Sequence, residues 1–225
     1  MRRIGILGGM GPEATILLMQ RVLAAVPARD DADHVPLIVH QNPQVPSRIA
    51  ALIEGTGESP GPALAAMARD LEAGGASALA MPCNTAHAWA DEIRAATPLP
   101  FLDMIALSAD ALAAAGVRRA GLLASPATRR AKVFDAPFAA RGLAPVHAED
   151  EAELLAVIRA VKAGQNPAAL APRFERLARA LAARSDRLLV ACTEFSLLAP
   201  RLPADIAWTD SLDCLVSAIV AEAQR

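Results

Sequence analysis

The chain has 225 residues, of which 54% are hydrophobic, and 24 acidic against 22 basic side chains leave a formal charge of −2. So apolar a chain buries a sizeable core and is not disordered, while its scattered basic residues give no electrostatic footprint for nucleic acid or an anionic membrane. No apolar run is long enough for a bilayer, and three cysteines without a C-x-x-C pair argue against a disulfide framework, so a reducing, cytoplasmic setting is expected.

The first element is a strand at 3–7, "RIGIL", too short for a signal-peptide core. It runs into Gly8-Gly9-Met10-Gly11-Pro12-Glu13-Ala14, and residues 9–14 fit G-x-G-x-x-A, the dinucleotide fingerprint. A helix follows at 13–26 and a second strand at 36–40. A dinucleotide site needs an acidic residue at the end of that second strand, but the chain there reads His40-Gln41-Asn42. Asp30, Asp31 and Asp33 precede the strand, and Pro12 removes one of the amides a pyrophosphate would use. What remains is either a glycine loop that brings amides close to a small anion at a helix N-terminus, or a plain connector.

Residues 42–62 are proline-rich and read as a loop with at most one helical turn. Helices are expected at 61–73, 86–96, 105–115, 128–141, 150–163, 168–184 and 211–224, with Gly74-Gly75, Gly116, Gly142 and Gly164 at stopping points. Further strands are expected at 77–81, 119–124 and 187–191, with weaker ones at 100–102, 144–147 and 205–208. Short β runs alternating with helices specify an α/β fold with mainly parallel sheets. The pattern also repeats. "GILGGMGPEAT" starts at Gly5 and "GLLASPAT" at Gly121, while "LAMPCNTAH" carries Cys83 and "LLVACTEFS" carries Cys192. The two offsets are nearly equal, which suggests two related halves.

Cys83 and Cys192 each follow a strand and precede a helical turn with polar residues, where an open α/β sheet binds its ligands. A free thiol titrates near about 8.5, and a helix N-terminus favours its thiolate. Inverting a stereocentre by proton transfer needs a base on one face of a planar carbanion and an acid on the other, and two thiols from related halves meet that demand. His87 and Glu194 stand near these cysteines as proton acceptors or orienting partners, although Glu194 equally fits a helix cap. Cys83 and His87 are spaced for a metal, yet no second ligand pair accompanies them, so no metal is expected. Cys214 falls on an apolar helical stripe and reads as core.

Taken in order, "GILGGMGPEAT", "NPQVPSR", "MPCNTAH" and "ACTE" resemble the aspartate/glutamate racemases that work without pyridoxal phosphate, and most closely their aspartate racemase branch. The resemblance covers nearly the whole chain. It implies two pseudo-symmetric α/β domains, 1–102 plus 208–225 and 103–207, with the active site between them. It further implies a homodimer acting on a small amino acid, with no cofactor, and with Cys83 and Cys192 as the acid/base pair. Carried over by motif, Met10 and Asn42 line the pocket, Asn84, Thr85 and Thr193 hold the α-carboxylate and amine, and Arg48 and Lys162 meet the substrate's carboxylates. The family commonly has Ile-Pro-Asp-Arg-Thr where this chain has Val45-Pro46-Ser47-Arg48-Ile49, which leaves open how Arg48 is aimed and whether dicarboxylates are preferred. A superfamily isomerase or decarboxylase acting on maleate-like or malonate-like acids, or a non-catalytic amino-acid binder, are the alternatives.

Overall fold

The computed structural model describes residues 1–225. Eight strands form two four-stranded sheets, and every paired neighbour is parallel. The first sheet contains β1 (Ile4–Gly8), β2 (Leu37–Gln41), β3 (Ala78–Ala80) and β4 (Phe101–Leu102) in the order β2-β1-β3-β4. The second contains β5 (Arg119–Ala124), β6 (Ala144–His147), β7 (Arg187–Ala191) and β8 (Trp208–Asp210) in the order β6-β5-β7-β8. The second order is the first repeated, so the halves anticipated from the sequence are topological equivalents, and β3 corresponds to β7. All residues of β1 and β3 are buried, as expected for parallel strands covered on both faces.

Helices cover both faces of each sheet, giving each lobe three layers. On the first sheet, α1 (Pro12–Ala25) and α9 (Ser211–Ala223) cover one face, through Leu18, Val22, Leu215 and Ile219 against Ile4, Ile6 and Ala80. The other face carries α2 (Gly61–Ala73) and α3 (Ala90–Ala96), through Leu64, Leu71 and Ile93 against Leu7 and Leu79. On the second sheet, α7 (Glu151–Lys162) and α8 (Pro167–Ala182) pack Val157, Phe174 and Leu181 on Leu123 and Leu188. The opposite face takes α4 (Met104–Ala114), with α5 (Pro126–Arg130) and α6 (Asp135–Ala139) beyond it. Helix α4 bridges the lobes, since Met104 joins the first core and Ile105, Ala109 and Leu112 join the second. Trp208–Asp210 pair with β7, so the chain returns to the first lobe at Ser211, three residues later than the sequence suggested. No helix is long and apolar enough to cross a membrane.

Two elements differ from the sequence reading. The helix expected at 128–141 is broken into α5 and α6, with Lys132 between them in the left-handed region at φ 55°. Pro137 explains the break. In a continuous helix it would sit in the interior and lose a backbone hydrogen bond, whereas in the first turn of α6 its missing N–H costs nothing. Phe134 and Phe138 then pack edge to face, with ring centroids 5.1 Å apart. The helix expected at 86–96 begins as a tighter 3₁₀ stretch, Thr85–Trp89, before α3.

The loop after β1 is held by glycine for two reasons. Gly9 has φ +95°, and a β-carbon there would stand 2.4 Å from the backbone of Asn42. Its N–H donates to Thr15 Oγ1 at 2.9 Å, closing the turn onto α1. Gly9→Ala is expected to destabilise the protein by about 2 kcal/mol or more, the sum of backbone strain and steric conflict, read as a lower denaturant midpoint at unchanged slope.

Candidate active site

The equivalence of β3 and β7 puts Cys83 and Cys192 at corresponding strand ends, one in each lobe. Cys83 sits in the turn after β3, where its N–H donates to Met81 C=O at 2.9 Å. Cys192 sits in the turn after β7, where its C=O accepts from Phe195 N–H at 2.8 Å. Both are buried, and both line one cavity of about 130 Å³. That volume is well under the roughly 300–1,000 Å³ of pockets for drug-sized ligands, and suits a small metabolite.

Of the residues singled out in the sequence, Met10, Arg48, Thr85, Lys162 and Glu194 line this cavity with the two cysteines. Thr85 Oγ1 and Thr128 Oγ1, one from each lobe, share a hydrogen bond of 2.7 Å. Arg48 Nη1 donates to the carbonyls of Val45 and Pro46 at 3.2 and 3.1 Å, so its own loop holds the guanidinium.

Glu194 joins two partners. Its Oε2 accepts from Cys192 Sγ–H at 3.0 Å, and its Oε1 pairs with Lys162 Nζ at 2.6 Å. Burial, and then the adjacent Glu194 carboxylate, push the Cys192 thiol well above its usual range. Burial alone would lower the Lys162 ammonium, but Glu194 outweighs it and the pKa is raised. Cys192 is therefore held as a thiol beside a fixed ion pair. Nothing comparable flanks Cys83, so the related halves are chemically unequal.

His87 does not line the cavity. Its ring is buried, and desolvation lowers its pKa, which keeps it neutral. Nε2 accepts the Met104 N–H at 3.1 Å, so Nδ1 carries the proton and donates to Cys83 C=O at 2.8 Å. His87 thus braces the Cys83 turn against the start of α4 through the carbonyl, with both ring nitrogens engaged.

Asn42, Asn84 and Thr193 do not line the cavity. Asn42 is a turn residue, its Oδ1 accepting from Gln44 N–H at 3.0 Å. Asn84 Nδ2 donates to Ser211 Oγ at 3.0 Å, and Ser211 Oγ donates to Val190 C=O at 2.9 Å, which ties the Cys83 turn to β7. Thr193 is buried beside Cys192 in the chain. Ser47 and Ile49, the two departures around Arg48, do reach the cavity, and so do Ser125 and Ile158, which the sequence reading passed over. Ser125 stands in "GLLAS" where Gly9 stands in "GILGG", and Ile158 lies one helical turn before Lys162. Those two relations were the available signals.

Two parallel sheets with a small polar cavity at their strand ends are the frame of an α/β enzyme acting on a small molecule. Residues 7–219 match the family described as Asp/Glu/hydantoin racemase, and the chain belongs to that family of isomerases. It is 24% identical to the broad specificity amino-acid racemase RacX of Bacillus subtilis (strain 168), over 97% of this chain and 96% of that protein. Among solved structures, Picrophilus torridus aspartate racemase superposes with a TM-score of 0.88 at 29% identity, covering 100% of this chain and 95% of that one. Glutamate racemase RacE1 from Bacillus anthracis shares the fold, with a TM-score of 0.69 at 16% identity over 99% of this chain and 80% of that one.

Proposed function

We propose that this protein racemises amino acids, aspartate or a related acidic amino acid first among them, by proton transfer between Cys83 and Cys192. The observation that carries the reading is the convergence of both thiols on one small cavity from equivalent strand ends of two lobes. With Cys83 as thiolate, the Cα–H bond of the substrate breaks and an S–H bond forms. The electron pair moves into the α-carboxylate. Cys192 then gives its S–H proton to the opposite face of the planar carbon, becoming the thiolate that serves the reverse reaction. The developing charge is stabilised by the cations lining the cavity, Lys162 and Arg48, and by the Thr85 hydroxyl. In this reading Arg48 and Lys162 also meet a side-chain carboxylate, and Met10 walls the pocket. Asn84 holds the Cys83 turn through Ser211, and Asn42 shapes the facing loop. The active form is a homodimer in a reducing, cytoplasmic compartment.

The test is proton NMR in D₂O, without pyridoxal phosphate, on a panel of L- and D-amino acids. Loss of the α-proton signal of aspartate is expected, with the other enantiomer appearing on chiral chromatography of the same samples, and persistence of every α-proton signal overturns the reading.

The inequality of the thiols gives a pH prediction. Activity needs one thiolate and one thiol, so the rate profile is a bell. Burial and Glu194 raise the Cys192 pKa, which keeps this acid protonated at higher pH and extends the alkaline side. Glu194→Gln removes the negative charge, lowers the Cys192 pKa and moves the alkaline limb to lower pH. An alkaline limb that stays in place in the variant excludes Cys192 as the titrating acid.

A further inference from the structure

Each thiol turn is held at its backbone, and the two lobes do this by different means. Cys192 C=O takes a backbone N–H, that of Phe195. Cys83 C=O takes the His87 ring instead, through Nδ1 at 2.8 Å. The other ring nitrogen, Nε2, accepts from Met104 N–H at 3.1 Å. Met104 opens α4, so this N–H has no partner inside the helix, and His87 supplies one. The His87 side chain is 2% exposed and lies against Phe101 of β4, with ring centroids 5.4 Å apart, so the ring is clamped. Asp103 caps α4 through Ile105 N–H and Ala106 N–H, and its other oxygen accepts from Arg94 of α3. The first thiol turn is thereby fastened to the start of the helix that crosses into the second lobe. The second lobe repeats the plan. Ser196 stands four residues after Cys192, as His87 stands four after Cys83. Its Oγ–H donates to Asp210 Oδ1 at 2.9 Å, and Asp210 caps α9, the helix that crosses back to the first lobe. Helices α4 and α9 lie side by side.

We infer that His87 is a positioning residue for the reaction, aiming the Cys83 thiol at the substrate carbon by holding the Cys83 carbonyl to α4, and that it takes no proton from the thiol. This rests on the two-thiol reading of the cavity. Both ring nitrogens are engaged by backbone groups and the ring stays outside the cavity, so no lone pair is left for Sγ–H. What the contacts control is direction. Cys83 N–H is bonded to Met81 C=O and its C=O to the ring, which fixes the Cα–Cβ bond from which the sulfur swings. Proton transfer tolerates little error there, because a displacement of about 1 Å costs about a hundredfold.

Glutamine can present one donor and one acceptor in place of the two ring nitrogens, whereas phenylalanine keeps the packing on Phe101 and loses both bonds. His87→Phe is expected to lower kcat about a hundredfold while KM stays within about threefold of the wild type. His87→Gln is expected to recover about tenfold of that loss, the worth of a restored hydrogen bond, and to leave both limbs of the pH profile in place. The effect belongs to one thiol. In a Cys192→Ser background His87→Phe slows α-proton exchange by the same factor. In a Cys83→Ser background it leaves exchange of the opposite enantiomer within about threefold. Equal slowing in both backgrounds, or a His87→Gln protein as slow as His87→Phe, overturns the positioning role. A limb that moves in His87→Gln overturns it too, since the ring would then titrate with the thiol, and this outcome is readable even if His87→Phe does not fold. Alkylation by iodoacetamide, followed at each cysteine by mass spectrometry, separates this failure from that of the thiol reading. Should the wild-type protein racemise no amino acid, the thiol reading falls. The positioning of Cys83 then stands only if His87→Phe speeds alkylation there several-fold and leaves that of Cys192 unchanged.

Discussion

Replacing either Cys83 or Cys192 with serine lowers racemisation by about a thousandfold or more, within the range that one general acid or base contributes. The two variants fail differently. Cys192→Ser keeps the Cys83 thiolate on one side of the substrate carbon, so it still exchanges the α-proton of one enantiomer with D₂O while inversion stops. Cys83→Ser keeps a thiol that is pressed against Glu194 and buried, and it exchanges the opposite enantiomer more slowly. The measurement is α-proton loss, followed by NMR for L- and D-substrate separately. Opposite enantiomer preference in the two variants is the signature of two bases on two faces. If both variants exchange the same enantiomer, or if either racemises normally, the pair does not work in that way. A merely structural loss affects both enantiomers alike, so the comparison remains informative even if a variant is less stable.

The largest expected effect on stability lies away from the cavity, at Arg21. This side chain from α1 donates to Asp210 Oδ2 at 2.7 Å, to Asp213 Oδ1 at 2.8 Å and to Ser196 C=O at 2.9 Å, so it fastens the first lobe to the end of β8 and to the turn after Cys192. Asp210 is buried, and its other oxygen accepts from Ser196 Oγ–H and Leu212 N–H, each at 2.9 Å. Arg21→Ala leaves that carboxylate without its cation and is expected to cost about 3–5 kcal/mol. For a chain of this length that corresponds to a fall of about 10 °C in the thermal midpoint. The loss depends on pH. Burial already raises the Asp210 pKa in the folded protein against the pull of Arg21, and removing Arg21 raises it further. A carboxyl whose folded pKa lies above its unfolded value weakens the fold as pH rises between the two, so the deficit of the variant is small near pH 4 and grows toward neutrality. Thermal melts at several pH values check this, and a deficit that shrinks as pH rises contradicts the assignment.

Most of the fold was legible because its signals are local. Glycines mark the helix ends, apolar runs such as 119–124 and 187–191 form the central strands, and repeated motifs betray the doubling. The two cysteines were legible for the same reason, each lying in a motif at a strand end. What escaped depends on contacts made across the lobes. Ser125 and Ile158 reach the cavity from the second lobe, and Thr128 meets Thr85 across 43 residues of chain, a pairing no periodicity announces. Adjacency in sequence misled in the other direction. Asn84 and Thr193 follow the thiols directly, yet a turn points successive side chains different ways, and Asn84 faces Ser211. Four residues of tight helix bring the His87 ring to the Cys83 carbonyl.

The place of α9 has a consequence for how the molecule is made. Its thirteen residues are the last helix of the chain, yet they cover the sheet whose first strand begins at Ile4. During synthesis the second lobe emerges with all of its strands before this cover arrives. The apolar side chains of Ile4, Ile6 and Ala80 must therefore wait, covered on that face by α1 alone, until the strands of the second lobe have been made. A protein truncated before Ser211 would keep both sheets and both thiols but expose a greasy patch on the first, and would be prone to aggregate rather than merely lose activity.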